Sequence, residues 1–171
     1  MPRPPLSLKA RAVGYLSRRE HSRAELARKL APHAASEEEV SLLLDALERE
    51  NWLSDTRFAQ SVLHRRGGRY GTRRVMQELG AHQLDADTLA EARQRLQDTE
   101  LQRARAVWHK RFAAPAEDAA ARAKQVRFLL ARGFSSAVVG QVVRGAKDWL
   151  ETLDQTLDPS PYDTDPDDFE A

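Results

Sequence analysis

Five arginines fall within ten residues in Arg65-Arg-Gly-Gly-Arg-Tyr-Gly-Thr-Arg-Arg74. A guanidinium fork matches a phosphate or a carboxylate with two parallel hydrogen bonds, so Arg65, Arg66, Arg69, Arg73 and Arg74 are suited to a polyanionic or acidic partner. The interleaved glycines let backbone amides approach such a partner closely. Tyr70 offers a ring that could stack on a base or plug a pocket. The plainer alternative is a solvated turn with Tyr70 tucked into a core. Two further basic sets occupy comparable places along the chain. One is Arg18, Arg19 and Arg23, with Arg28 and Lys29; the other is Arg122, Lys124, Arg127 and Arg132. Outside the central cluster, ordinary helical ion pairing such as Glu25 with Lys29 competes with a binding role.

Catalytic and metal-binding patterns are missing from the sequence. The five histidines (21, 33, 64, 82 and 109) have no metal-ligand spacing. They are expected at the surface or half-buried, and inert. The glycine-rich Gly67-Gly-Arg-Tyr-Gly71 lacks the lysine and hydroxyl residue of a phosphate-binding P-loop. No nucleophile elbow occurs. The expectation is a non-enzyme with no cofactor and no metal. Cysteine is absent, which excludes disulfides and fits a reducing cytoplasm. No apolar run reaches the roughly 18 residues of a membrane span. The first residues, Met1 to Leu6, lack the apolar core of a signal peptide.

Charge divides the chain sharply. Residues 151–171 carry eight acids and no base, and removing them from a formal net charge of +1 leaves +9 on residues 1–150. A basic body with an acidic tail again points to a polyanion. The tail admits three readings: a solubility tail, a segment that folds back on the body, or a short recognition motif around Tyr162 and Phe169.

The elements that must carry these residues repeat. Leu30, Leu79 and Leu129 are equivalent; so are Ser36, Asp85 and Ser135, and then Val40, Leu89 and Val139, at spacings of 49 and 50 residues. Such a period marks repeated units that stack and present an extended surface. The fold class expected is all-α: three tandem three-helix, helix-turn-helix-like repeats in an elongated, curved array. The boundaries are 6–51, 52–97 and 98–150, with a disordered tail over 151–171.

Nine helices can be read. The first covers Ser7 to Arg19, with Leu8, Ala12 and Tyr15 inward. Ser22-Arg-Ala-Glu25 and Ser36-Glu-Glu-Glu39 are capping boxes. Val40, Leu43, Leu44 and Leu47 follow helical spacing. Ser54, Thr72 and Asp85 open the helices of the second repeat, with Phe58, Val62, Leu63, Val75, Met76, Leu79, Leu89, Ala92 and Leu96 inward. The third repeat begins near Thr99, with Ala104, Trp108 and Phe112 on one stripe. Pro115 suits the entry of the next helix, whose inner face is Ala119, Ala123, Val126 and Leu130. Gly133 suits its C′ position. Ser135 caps a last helix bearing Val138, Val139, Val142 and Val143. Trp52, Trp108 and Trp149 are expected to pack in the core or between repeats.

Several of these segments resemble one family. Leu53-Ser-Asp-Thr-Arg-Phe-Ala59, Arg66-Gly-Gly-Arg-Tyr-Gly-Thr-Arg-Arg74 and Gln77-Glu-Leu79 are similar to the middle of the RecX regulators of the RecA recombinase. Ala12-Val-Gly-Tyr-Leu-Ser-Arg-Arg19, Ser22-Arg-Ala-Glu-Leu26 and Arg127-Phe-Leu-Leu-Ala-Arg-Gly-Phe134 agree. The likeness covers about Leu8 to Gly145. It implies three three-helix repeats and no catalytic residues. It also implies binding in the helical groove of the RecA–DNA filament, which limits filament growth and damps ATPase, strand-exchange and coprotease activities. Contact with single- or double-stranded DNA comes with it. The expected molecule is a monomer that needs no membrane. Its binding residues would be Arg65, Arg66, Arg69, Tyr70, Arg73, Arg74, Arg18, Arg19, Arg23, Lys124, Arg127 and Arg132. The rival is a helix-turn-helix-like DNA-binding protein acting without RecA.

Overall fold

The computed structural model describes residues 6–112 and 114–148; Trp149 and the tail readings at 151–171 lie outside them. Within the described residues every regular element is helical. α1 is Leu8–Leu16, α2 is Arg23–Leu30 followed by a 3-10 turn at Ala31–His33, and α3 is Glu37–Arg49. α4 is Asp55–Gly67, α5 is Thr72–Gly80, α6 is Ala86–Phe112, α7 is Ala119–Ala131 and α8 is Ser136–Arg144.

The helix starts are set by side-chain oxygens that accept otherwise orphaned amides. Ser7, Ser22, Ser36 and Ser135 accept from the amides of Ala10, Glu25, Glu39 and Val138. Ser54, Asp85 and Asp118 do the same for Arg57, Thr88 and Ala121. Two helices end in paired C-terminal bonds with a left-handed residue at C′. Asn51 (φ 60°) serves α3, where the Trp52 amide donates to Leu47 O at 2.9 Å. Gly133 (φ 86°) serves α7, where its own amide donates to Leu130 O and that of Phe134 to Leu129 O.

The described residues form two packing units. The first holds the residues up to Arg66 together with Val75–Leu96; the second holds Gly67–Arg74 together with the residues from Gln97 onward. In the first unit Ala12, Leu26, Leu30, Val40, Leu44, Leu47 and Leu53 make a closed cluster. Polar bonds join its helices as well. The Arg23 amide at the start of α2 donates to Asp55 Oδ1 at 2.7 Å, and Ser22 Oγ lies 2.9 Å from His82 Nδ1. Burial raises the Asp55 pKa, and the bond from the Arg23 amide works against that. In the second unit Ala104, Trp108, Leu129, Phe134, Val139, Val142, Val143 and Ala146 form the core.

The structure departs from the sequence reading at several points. α1 stops at Leu16, short of Arg19. The break expected near Thr99 is absent: α6 runs unbroken for 27 residues, giving eight α-helices among the described residues. Nothing between Ala86 and Phe112 is glycine or proline, so no residue interrupts it. Pro115 precedes the cap Asp118 rather than entering α7. On α7 the fully buried positions are Gln125 and Leu129, while Ala119 is exposed. Gln125 is drawn inside because Trp108 Nε1 donates to its Oε1 at 3.0 Å and its own amide donates to Ala114 O. Trp108 is fully buried, but Trp52 is 46% exposed at the α3–α4 turn. His21, expected at or near the surface, is only 3% exposed.

Candidate basic interface

The arginine-rich segment starts as the last turn of α4, passes through a short loop and ends as the first turn of α5. Its two halves have different surroundings. Arg65 is exposed, with Nε donating to Ser61 O at 3.3 Å, and Arg66 pairs with Glu78 at 3.2 Å; both belong to the first unit. From Gly67 to Arg74 the chain is packed on the third repeat.

Backbone contact makes that packing close. The Gly71 amide donates to Arg132 O at 2.9 Å, and the Arg73 amide to Gly133 O at 3.2 Å. A Cβ on Gly71 would lie 2.1 Å from the Phe134 nitrogen, so no other residue fits this approach. Gly133 faces it from the other side, with a Cβ there 2.7 Å from that of Arg74.

The side chains that remain outside are basic. Arg69, Arg73 and Arg74 are exposed. Arg73 Nη2 donates to Leu130 O at 3.2 Å, which sets a cation at the C-terminal end of α7, where the helix dipole favours one. The Arg74 guanidinium lies 4.4 Å from the centre of the half-buried Tyr70 ring. Along α7, Lys124 and Arg127 are exposed at i, i+3 spacing, and Arg132 stacks 4.2 Å over Phe128. Arg69, Arg73 and Arg74 of the central set therefore share one packing unit with the basic set of the third repeat, while Arg65 and Arg66 do not.

The set from the first repeat lies in the other unit, and most of it is engaged in-chain. Arg19 binds Glu25 and donates to Glu20 O. Arg23 clamps α2 on α3 through Asp45 at 2.6 Å and Glu48 at 2.8 Å. Burial works to lower the Arg23 pKa, but these two carboxylates outweigh it and raise the value. Arg18 is exposed.

Two important residues escaped the sequence reading. Glu100 and Arg103, each 5% exposed, sit one turn apart inside α6. Arg103 donates to Gly67 O at 2.8 Å, Tyr70 O at 2.5 Å and Thr99 Oγ1 at 3.1 Å. Glu100 accepts from the Thr72 amide at 3.0 Å and from Ser135 Oγ at 2.9 Å. Their only sequence signal is i, i+3 opposite charge, which also describes many exposed helix pairs. Among the described residues no acid–histidine cluster could hold a metal, and no helix is long and apolar enough to cross a membrane.

Comparison with known proteins accounts for most of the chain. The first, second and third three-helix domains of RecX match residues 9–47, 54–92 and 98–143. "Regulatory protein RecX" of Ralstonia pickettii is 63% identical over 156 residues, spanning 91% of this chain and 98% of the relative. That of Leptothrix cholodnii is 53% identical, spanning 83% and 90%. The crystal structure of RecX from Lactobacillus salivarius shares the fold with a TM-score of 0.67 at 17% identity, covering 87% of this chain and 96% of that one. The chain belongs to the RecX family of regulatory proteins.

Proposed function

We propose that this chain binds the RecA–DNA filament in its groove and restrains it, reducing filament extension, ATPase, strand exchange and coprotease activity. It acts as a cytoplasmic monomer without catalysis. The observation that supports this reading is the basic surface of the second unit: Arg69, Arg73 and Arg74 are exposed on a segment bonded to Leu130, Arg132 and Gly133, and Lys124 and Arg127 are exposed on the same unit. A nucleoprotein filament offers phosphates and acidic protein segments together, and guanidinium forks suit both. Charge complementarity sets encounter rate and orientation, while lasting inhibition needs shape-matched burial. A loop fixed by backbone bonds supplies the constant shape.

The test is a chain with Arg69, Arg73 and Arg74 all changed to alanine, added to RecA filaments on single-stranded DNA. Helicity by circular dichroism should match the parent, and inhibition of the RecA ATPase should be lost. Full inhibition by the folded triple variant refutes the reading. Naked duplex DNA separates the rival. Five arginines each meeting a phosphate would give a log–log salt slope of about −4.5. Tight, sequence-selective binding without RecA would favour a stand-alone DNA-binding protein.

A further inference from the structure

We propose that Glu100 and Arg103 are positioning residues for the basic patch: from inside α6 they set the loop geometry on which partner binding depends. This rests on the reading of the patch as the binding surface.

The loop offers few apolar side chains of its own. Gly67, Gly68 and Gly71 carry no side chain, Arg69 is exposed and Tyr70 is half-buried. Besides the close approach at Gly71, polar bonds define its path. Arg103 gathers the carbonyls at the two ends of the Gly67–Tyr70 stretch with one nitrogen, at 2.8 and 2.5 Å. Glu100 then takes the amide of Thr72 with one oxygen and the hydroxyl of Ser135, the cap of α8, with the other. One turn of α6 thus ties the loop and the α7–α8 turn to the same base, and the bonds from Gly71 and Arg73 to Arg132 O and Gly133 O close the assembly.

A buried charge is tolerated only when it is fully hydrogen-bonded, and an apolar pair of similar volume commonly serves stability as well or better. Such a pair would leave the loop carbonyls and the Thr72 amide without these partners. The two charged side chains thus do what apolar ones cannot: they fix backbone orientation.

The experiment compares the full chain with Arg103→Met, which keeps the stem but not the fork, and with the milder Arg103→Lys and Glu100→Gln. Val142→Ala, a core change in the same unit, matches for lost stability. Two quantities are read: hydrogen exchange at the Gly71 and Arg73 amides, and affinity for RecA filaments on single-stranded DNA. We expect Arg103→Met to speed exchange at both amides and to weaken filament affinity, each by about tenfold or more relative to Val142→Ala. Arg103→Lys and Glu100→Gln should fall between. If Arg103→Met fails to fold, those two variants decide. Variants that lose stability as Val142→Ala does, yet keep loop protection and affinity, overturn the proposal. A parent chain that binds neither filament nor DNA removes the proposed function instead. The amides alone then decide the positioning role, and unchanged exchange overturns it.

Discussion

Replacing Gly71 with alanine should be strongly destabilising. The new Cβ would stand 2.1 Å from the Phe134 nitrogen, 2.2 Å from the Gly133 carbonyl carbon and 2.3 Å from its oxygen. All three are backbone atoms, so no rotamer change relieves the overlap. The loop must lift away from the α7–α8 turn. Lifting breaks the bonds from the Gly71 and Arg73 amides, at 2.9 and 3.2 Å. Each contributes about 1 kcal/mol net. It also strains the buried bonds of Arg103 to Tyr70 O and of Glu100 to the Thr72 amide. Leaving one such group unsatisfied costs about 1–3 kcal/mol. The sum is about 3–5 kcal/mol, a large part of the 5–15 kcal/mol typical of a folded domain. For a chain of this size that lowers Tm by roughly 6–20 °C.

The assay is thermal and urea unfolding followed by far-ultraviolet circular dichroism. Gly68→Ala is the paired control, because a Cβ at Gly68 meets nothing within 4 Å. It should fall within about 0.5 kcal/mol of the parent, as exposed substitutions usually do. Equal midpoints for the two variants would refute the close-approach argument and with it the account of how the loop is fixed.

Four further outcomes follow from the geometry. Gly14→Ala, in an open position inside α1, should stabilise by up to about 1 kcal/mol, readable as a raised urea midpoint. Burial holds His21 below its ordinary value of 6.5, opposed by its bond to Arg19 O and the Glu25 charge and aided by the charges of Arg19 and Lys29. The unfolded imidazole then takes its proton first, so stability present above 6.5 is lost as pH falls below it. The fall in urea midpoint between about pH 7.5 and 5.5 should shrink in His21→Gln. Arg23→Ala removes ion pairs whose carboxylates are 49% and 41% exposed. After screening it should cost only about 0.5–1 kcal/mol and leave filament affinity unchanged. Deleting residues 151–171 takes the formal charge from +1 to +9. At roughly 10 mM salt, where the Debye length is about 30 Å, affinity for naked DNA should rise, and equal affinities would exclude screening by the tail.

Local chemistry was the readable part of this fold. Ser22 and Ser36 announce their helices because a hydroxyl three residues ahead of an acid has one obvious use, and each accepts the amide it should. Of the stripe Val40, Leu43, Leu44 and Leu47, all but the half-buried Leu43 are buried. Gly133 stands at φ 86° where a helix must stop. Reading failed where the deciding partner is distant in sequence. Arg103 binds groups 33 and 36 residues away, and Glu100 one 35 residues away in the other direction. In the sequence both resemble any charged pair on an exposed helix. Gln125 belongs with them, since the indole of Trp108, 17 residues away, makes burial of an amide favourable there. The repeat period alone predicts a break near Thr99, where α6 continues. A repeat fixes which residues are equivalent, but a helix ends only where a cap, glycine or proline ends it.

The arginines divide into two working groups. Any polyanion attracts a body carrying +9, and such attraction carries no selectivity. If exposed guanidinium groups were sufficient, Arg18, Arg28 and Arg122 would serve as well as Arg69, Arg73 and Arg74. What distinguishes the latter is the frame beneath them: a loop of glycines, one buried arginine drawing in its carbonyls, and one buried glutamate binding the segment where it re-enters a helix. Under the proposed function, selectivity for a filament over free DNA would come from that fixed shape. Changes to the frame should therefore reduce discrimination between filament and naked DNA, whereas changes to exposed arginines elsewhere should weaken both by similar factors.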